Sequence, residues 1–311
     1  MECKICGNSE SLIKYNVREM MFGLRDEFSY TECEDCGCLQ LDDIPKNISE
    51  YYPSNYYSFA ARKSKSRIID FIKKKRDNYS VFKKGFFGKL VSKRVPNIKL
   101  QILSEVSVTK STKILDVGCG TGAILLELKK LGFDNISGAD PYIENEINYG
   151  DGLKIYKKTI HEVTEKQDVI MFHHSFEHMH DPSETMQTVS KLLNKGGSCI
   201  IRIPTTSSYA WEHYRENWVQ LDAPRHLFLH SQKSMDILCE KASLKVEKVV
   251  YDSSEFQFLG SERYLKDIPL MDDTKDSSLF SKSEINNYKQ RAKKLNKEKK
   301  GDACAFIINR Q

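Results

Sequence analysis

The 311-residue chain contains no run of 18 apolar residues, which argues against a membrane-spanning helix. It also lacks a basic-then-apolar leader, since it begins MECKICGNSE, so no secretory signal is expected. No internal repeat is visible. Acidic residues are scarce in one tract: between Arg62 and Lys99 there are 14 Lys/Arg against 2 acids. The nine cysteines do not read as a disulfide framework, because two Cys-x-x-Cys pairs lie at one end of the chain. That arrangement suits metal binding in a reducing compartment, and a cytoplasmic location is expected. With 40% hydrophobic and 29% charged residues the balance is that of a globular protein, long enough for one large domain or two modest ones.

Three zones follow from composition: residues 1–45 with the paired cysteines, residues 46–110 with aromatic and then basic character, and residues 111–311. The middle zone has helical periodicity in SRIIDFIKKKRDNY. Its positive charge, with a second run KKLNKEKK at Lys293–Lys300, is either a solvated helical face or a surface for an anionic partner. From Lys113 onward short apolar runs (KILDVG, NISGAD, LKIYKK, DVIMFHH, SCIIRIP) alternate with helix-like or connecting segments, as in a doubly wound parallel sheet. Two further strand-like runs, LKVEKVVYD and ACAFIIN, flank a polar and largely helical insertion at about 272–300.

Cys3-x-x-Cys6-Gly7 and Cys33-x-x-Cys36-Gly37 are two copies of one knuckle separated by 26 residues. Four thiolates at this spacing can close a tetrahedral zinc site, and the glycine after each pair permits the tight turn that aims the sulfurs. A site of four thiolates has no open position, so the zinc is expected to be structural. Cys38 reads as an unliganded thiol. Neither pair follows a strand and opens a helix, which argues against a thioredoxin-like role.

KILDVGCGTGAILLELKKLG reads strand, glycine turn, helix, with Gly118, Gly120 and Gly122 in the turn. Gly118-x-Gly120-x-x-Ala123 also fits a dinucleotide fingerprint. Asp116, two residues before the first glycine, would repel a pyrophosphate but suits a ligand with a cationic amino-acid end, such as S-adenosylmethionine. Asp140, at the end of the next strand, can accept hydrogen bonds from both ribose hydroxyls. The stretch MFHHSFEHMHDP (Met171–Pro182) contains His174-x-x-Glu177-His178, the pattern of inverted zinc peptidases. A peptidase needs those residues on one helix. Here DVIMF reads as a strand, which places His174 at the strand end, and Pro182 prevents a helix from running through. His173 and His180 read as surface histidines.

ILDVGCGTG resembles motif I of the class I S-adenosylmethionine-dependent methyltransferases, and the resemblance extends from about Lys113 to Arg310. DVIMFHHSFEHMHDP is similar to the fourth-strand turn of the small-molecule branch, and LLNKGGSCIIRIPT to the turn feeding the fifth strand. ENWVQLDAPRHLFLHS and EYYPSNYYSF resemble segments of a subgroup that often carries an N-terminal zinc knuckle and includes sugar and ubiquinone-pathway methyltransferases. The fold so implied is α/β: a Rossmann-like seven-stranded sheet with a final antiparallel strand, preceded by a small zinc-knuckle domain and a helical segment. The implied cofactor residues are Asp116, Gly118, Gly120 and Asp140, with Thr159 and Ile160 near the adenine and His174 bordering the methionine end.

A histidine poised near neutral pH is the natural base for a hydroxyl acceptor, and His178 and His226 are the two candidates; the same resemblance favours His226 facing the acceptor, with Glu177 and His178 shaping the pocket, and a divalent-ion role for Glu177 and His178 stays open. Tyr56 and Tyr57, with Tyr51 and Tyr52, are candidates for a sugar pocket or for packing. Arg225 can meet a substrate phosphate or carboxylate, or close a structural salt bridge. Trp211 and Trp218 read as packing residues. The expected reaction is O-methylation of a sugar, nucleotide-sugar or polysaccharide precursor. Sugar C-methyltransferases of similar architecture carry Glu-His where this chain has Arg225-His226, which makes carbon methylation the weaker alternative. RNA is another possible acceptor, although no Asn/Asp-Pro-Pro-Tyr/Phe motif is present. A non-catalytic scaffold and a dehydrogenase complete the alternatives. The sequence leaves the oligomeric state open.

Overall fold

The computed structural model describes residues 2–52 and 67–310. Its first layer is a small sheet built from β1 (Leu12–Arg18), β2 (Glu27–Cys33) and β3 (Leu39–Leu41). A helical hairpin follows, α1 (Arg67–Phe82) and α2 (Phe86–Arg94), then the single-turn α3 (Ile98–Gln101). The large sheet begins with β4 (Ile114–Val117), α4 (Ala123–Leu131), β5 (Ile136–Ala139), β6 (Ile147–Asn148) and β7 (Lys154–Tyr156). It continues with β8 (Gln167–His173), α5 (Pro182–Leu192) and β9 (Leu193–Pro204). Next come α6 (Tyr209–Tyr214), β10 (Phe228–Leu229), α7 (Gln232–Lys241) and β11 (Leu244–Tyr251). The chain closes through α8 (Phe256–Leu265), α9 (Asp276–Leu279), α10 (Lys282–Lys297) and β12 (Ala303–Arg310).

The strand order of the large sheet is β11-β12-β9-β8-β4-β5-β7-β6. The pairs β4/β5, β4/β8, β5/β7 and β8/β9 are parallel, and β12 runs antiparallel between β9 and β11. All seven strand-like segments of the sequence are strands. The two-residue β6 adds an antiparallel edge that its length left invisible.

The sheet is buried on both faces, which is why its strands read as continuous apolar runs rather than alternating ones. Along β8, Val169 and Met171 pack on one face with Leu125 and Leu128 of α4, while Ile170 and Phe172 pack on the other with Met186 and Val189 of α5. Phe306 and Ile308 of β12 join the second core, and Ala305 and Ile307 join the first. The insertion at 272–300 is helical: Ser281 caps α10, Ala292 and Leu295 are buried, and Tyr288 stacks on Phe258 of α8 at 4.9 Å.

The expected boundary near residue 45 is not a break in packing. The small sheet has the order β1-β2-β3-β10, so its fourth strand comes from the second half of the chain. Trp211 Nε1 donates to Glu32 of β2 at 2.8 Å, and Tyr30 Oη donates to the carbonyl of His226 at 2.8 Å. Trp211 and Trp218 are core residues, as expected.

Arg225 takes the structural alternative rather than the substrate-binding one. Its side chain has no exposed surface. It donates to Glu19 at 2.8 Å, to Asp222 at 2.6 and 3.0 Å, and to the carbonyl of Tyr51 at 3.2 Å. Burial opposes the charge, but Asp222 and Glu19 more than offset it and raise the guanidinium pKa, so the cation is permanent. Glu19 also accepts from the backbone N–H of Phe22 and Leu24.

Removing one partner of a buried ion cluster strands the others, at a cost of about 3–5 kcal/mol. Arg225→Met is therefore expected to lower unfolding stability by about that amount, read from urea denaturation. A loss within the range of ordinary surface substitutions would show that the cluster is not what joins the two sheets.

Candidate functional site

The glycine turn after β4 lies at the carboxyl ends of the parallel strands, where open α/β sheets bind ligands. Gly118 has φ +68°, and its N–H donates to the carbonyl of Ala139 at 2.8 Å. A Cβ at Gly118 would come within 2.4 Å of the Cβ of Ser175, so the loop and the segment after β8 can touch only through a residue with no side chain. Ser175 Oγ donates to the carbonyl of Val117 at 2.6 Å and closes that contact. Gly122, at φ +74°, sits at the amino end of α4.

Asp116 and Asp140 frame this loop. Asp116 is 2% exposed, and its Oδ1 has no hydrogen-bond partner. Burial pushes its carboxyl up to about 7, against the attraction of Lys99 and with the repulsion of Asp140. Asp140 accepts from the N–H of Gly120 at 2.8 Å through Oδ2 and from the N–H of Tyr142 at 2.9 Å through Oδ1. Each oxygen keeps a second lone pair. The Asp140 N–H donates to the carbonyl of Tyr156, so the end of β7 lies beside it. Thr159 and Ile160 follow three and four residues later. Thr159 forms a capping box with Glu162, and Ile160 is buried. An orphaned buried carboxylate, an oriented second carboxylate with free lone pairs, and glycines at positive φ fit a ligand with one cationic and one diol end.

The HHSFEH segment is a strand end followed by a single turn at Phe176–His178, so the peptidase geometry is absent, as the sequence argued. His173 departs from expectation. It ends β8 with both ring nitrogens buried and unpartnered, and burial holds its pKa well below the usual range. His174 has φ +54°, a costly conformation for a non-glycine residue and one concentrated at functional sites. Its Nε2 accepts from Arg202 Nη1, and Arg202 in turn forms a two-point ion pair with Asp252. Its Nδ1 lies 3.5 Å from Glu177 Oε1.

Glu177 is completely buried, and neither carboxylate oxygen has a hydrogen-bond partner. Burial pushes its pKa up, but the surrounding histidines (His174 foremost) outweigh this and hold it at about 2. His226 Nε2 lies 3.9 Å from Glu177 and 3.8 Å from Asp222. Its Nδ1 donates to the carbonyl of Gln220 at 2.7 Å, because a carbonyl can only accept. Burial lowers the His226 pKa to about 4, leaving a neutral ring with its Nε2 lone pair free at neutral pH. His178 Nδ1 donates to the carbonyl of Arg225 at 2.7 Å and approaches Tyr52 Oη at 3.3 Å. The Leu227 N–H donates to the Glu177 carbonyl at 2.8 Å, bonding the two loops directly.

A cavity of about 280 Å³ adjoins this cluster. His174, Arg202, Gln220, Asp252, Gln257 and Asp302 supply most of its polar lining. Gln257 Oε1 is buried and unpartnered there. Of these residues the sequence reading found only His174. The one visible signal for another was Arg202, a charge inside the apolar run CIIRIP. Tyr51 and Tyr52 pack against Phe28 and His178; Tyr56 and Tyr57 lie outside the described residues.

At the other end, Cys3, Cys6, Cys33 and Cys36 converge, with all four sulfurs within 4.8 Å of one another. The Cys3–Cys36 and Cys6–Cys33 distances are both 3.5 Å, too long for disulfides and close to the sulfur separation around one ion, about 3.8 Å. Gly7 and Gly37 stand at φ +81° and +69° and donate to the carbonyls of Cys3 and Cys33. Cys38 is buried, with its sulfur 3.9 Å from His230 Nδ1.

A family model described as a methyltransferase domain matches residues 59–249. No curated protein matches the chain. Among solved structures the chain is similar to the cyclopropane synthase MmaA2 from Mycobacterium tuberculosis, at 14% identity over 67% of this chain and 84% of that one, with TM-score 0.43. It is also similar to a Haloferax volcanii complex between the Trm112 methyltransferase activator and a methyltransferase (14% identity, 80% and 100% coverage, TM-score 0.47). A third similar structure is an S-adenosylmethionine dependent methyltransferase from Mesorhizobium loti (13% identity, 64% and 91% coverage, TM-score 0.40). With more than half of its length matched by the family model, the chain belongs to the methyltransferase-domain family and is an S-adenosylmethionine-dependent methyltransferase.

Proposed function

We propose that the enzyme methylates a hydroxyl of a small, hydroxyl-rich acceptor, a sugar or nucleotide-sugar derivative, at the Glu177–His178–His226 cluster. The observation that carries this reading is the polar cavity beside the cluster. Arg202, Asp252 and the unpartnered Oε1 of Gln257 suit the donors and acceptors of a polyol better than an apolar ring. S-adenosylmethionine, when bound, supplies an electrophilic methyl group on a good leaving group. Asp116 would hold the cofactor's ammonium, and Asp140 would accept from its ribose hydroxyls through the lone pairs that Gly120 and Tyr142 leave free. Gly118 and Gly120 would admit the ligand close to the backbone, with Thr159 and Ile160 beside the base. His174, tied to Arg202 and Glu177, would stand between the cofactor and the acceptor. His226, with Nε2 unprotonated, would take the proton from the acceptor hydroxyl. Tyr56 and Tyr57 remain candidates for substrate contact.

RNA is the second reading, favoured by the lysines of α1 and α2. It requires binding that weakens steeply with added salt. The four thiolates at the N-terminus would hold a structural zinc ion, because four sulfurs close its coordination sphere.

Four outcomes are expected. S-adenosylhomocysteine should bind at one site per chain in calorimetry, and Asp140→Ala should abolish it, whereas a nicotinamide nucleotide binding in its place would refute the assignment. Because the Asp116 carboxyl must be ionised to meet a cation, and its pKa is raised to about 7, affinity should increase about tenfold from pH 6 to pH 8. A pH-independent affinity would remove Asp116 from the ammonium site. His226→Gln should lower methyl transfer to nucleotide-sugars by about 100-fold or more, and an unchanged rate would exclude it from the reaction. Elemental analysis should find one zinc per chain, lost in Cys36→Ser and kept in Cys38→Ser; retention in Cys36→Ser would rule out the four-thiolate site.

A further inference from the structure

We propose that the outer face of the α1–α2 hairpin docks on anionic phospholipid headgroups, with Phe86, Phe87 and Leu90 entering the bilayer interface. The first support is how little of α2 the protein covers. α1 packs inward through Asp77, Ser80 and Val81, and Phe82 at its end stacks on Phe133 at 5.6 Å. α2 buries only Gly88, which lies so close to α1 that a Cβ there would come within 2.3 Å of the Lys75 carbonyl oxygen. Phe86 and Leu90 stand two residues either side of Gly88, so at about 100° per residue they project from the opposite side of the helix. Phe86 is 78% exposed, and Phe87 and Leu90 are exposed as well. The apolar stripe of α2 thus faces away from the protein, the reverse of a helix folded onto a core.

The second support is charge. Lys74, Lys75, Lys83, Lys84, Lys89 and Lys93 are exposed on the two helices and the turn between them. The hairpin's acids are Asp70 and Asp77, neither of them exposed, and Asp77 is bonded to Arg76 at 2.7 Å and to Asn97 at 2.9 Å. Lysine and apolar side chains interleave along α2 (FFGKLVSKR), and on α1 the Lys75 ammonium lies 5.2 Å above the Phe71 ring. Such mixing suits a headgroup layer. Phosphates meet the ammonium groups while rings and methyls sink below them, and the lysine stems span the two levels.

A protein partner fits less well, because the centres of protein interfaces are depleted in lysine, and a second copy would oppose a face of the same sign. RNA would meet the lysines but not the aliphatic groups: Ile68 and Val95, 72% and 58% exposed, have no flat ring on which a base can stack. The hairpin also ends close to the cofactor loop. Asn97 donates to Glu127 of α4 at 3.0 Å, and Lys99 of α3 lies near enough to Asp116 to attract its carboxyl. A bilayer on this face would therefore stand beside the ligand-binding ends of the strands.

The test is cosedimentation of the full-length protein with vesicles of phosphatidylcholine, alone or with about 30% phosphatidylglycerol. Binding should require the anionic lipid and weaken as salt is added. Phe86→Ser combined with Phe87→Ser should lower the partition coefficient about tenfold or more. Lys89→Gln combined with Lys93→Gln should lower it about twentyfold, since each lysine near the surface contributes about fivefold. All four side chains are exposed, so the urea unfolding midpoint of these variants should not move. Absence of binding to the anionic vesicles, whether or not polyuridylate RNA binds, would overturn the proposal. So would equal binding to neutral vesicles, or binding undiminished by the phenylalanine pair.

Discussion

The buried guanidinium of Arg225 is the contact on which the arrangement of this molecule depends. It ties Glu19, at the end of the first strand of the small sheet, to Asp222 and to the loop that carries His226. It also fixes the Tyr51 carbonyl of the segment leaving the small sheet. Its own carbonyl receives the Nδ1 proton of His178. One residue thus joins the N-terminal sheet to the loop that carries His226 and sets the tautomer of His178. A lysine could not do this, since its ammonium lacks the planar fork that reaches Glu19 and Asp222 together.

A second set of contacts couples the glycine loop to the turn that carries Glu177. Gly118 meets Ser175 across a gap too narrow for a side chain, and Ser175 bonds the backbone of β4. Two residues further on is Glu177, whose carbonyl accepts from Leu227. The glycine loop and the turn at Phe176–His178 are therefore positioned by one short run of backbone. The strained φ of His174 lies at the start of that run. It is held by a backbone hydrogen bond to Arg202 and by the Arg202–Asp252 ion pair.

The parts of this structure that the sequence displayed are those decided locally. The glycine turn, the buried strands and the knuckles each depend on residues within a few positions of one another, so periodicity and spacing expose them. Trp211 and Trp218 were legible for the same reason, as large apolar groups in a short segment. Arg225 was not, because its partner Glu19 is 206 positions away and nothing near PRH distinguishes a buried ion pair from a substrate clamp. His173 was misread because a histidine in a strand gives no sign of which face it occupies until the neighbouring strands are in place. Arg202, Asp252 and Gln257 come together only when β9, the end of β11 and α8 converge, so the cavity they line had no sequence signature. The cluster around Glu177 was half visible: the turn was apparent, but the carbonyls that fix the ring tautomers were not.

The β3–β10 pairing has a consequence for how the protein is made. A ribosome releases the first 45 residues long before Phe228 and Leu229 exist, so the outer edge of β3 stays open while most of the chain is synthesised. The knuckle thiols emerge in the same interval, and one ion gathering them early would hold three strands in register while the edge waits. Only when β10 arrives, two residues after His226, is the small sheet completed. The step that seals the N-terminal sheet thus follows directly on the one that sets the loop carrying His226, and a nascent chain truncated before residue 228 would expose an unpaired strand edge.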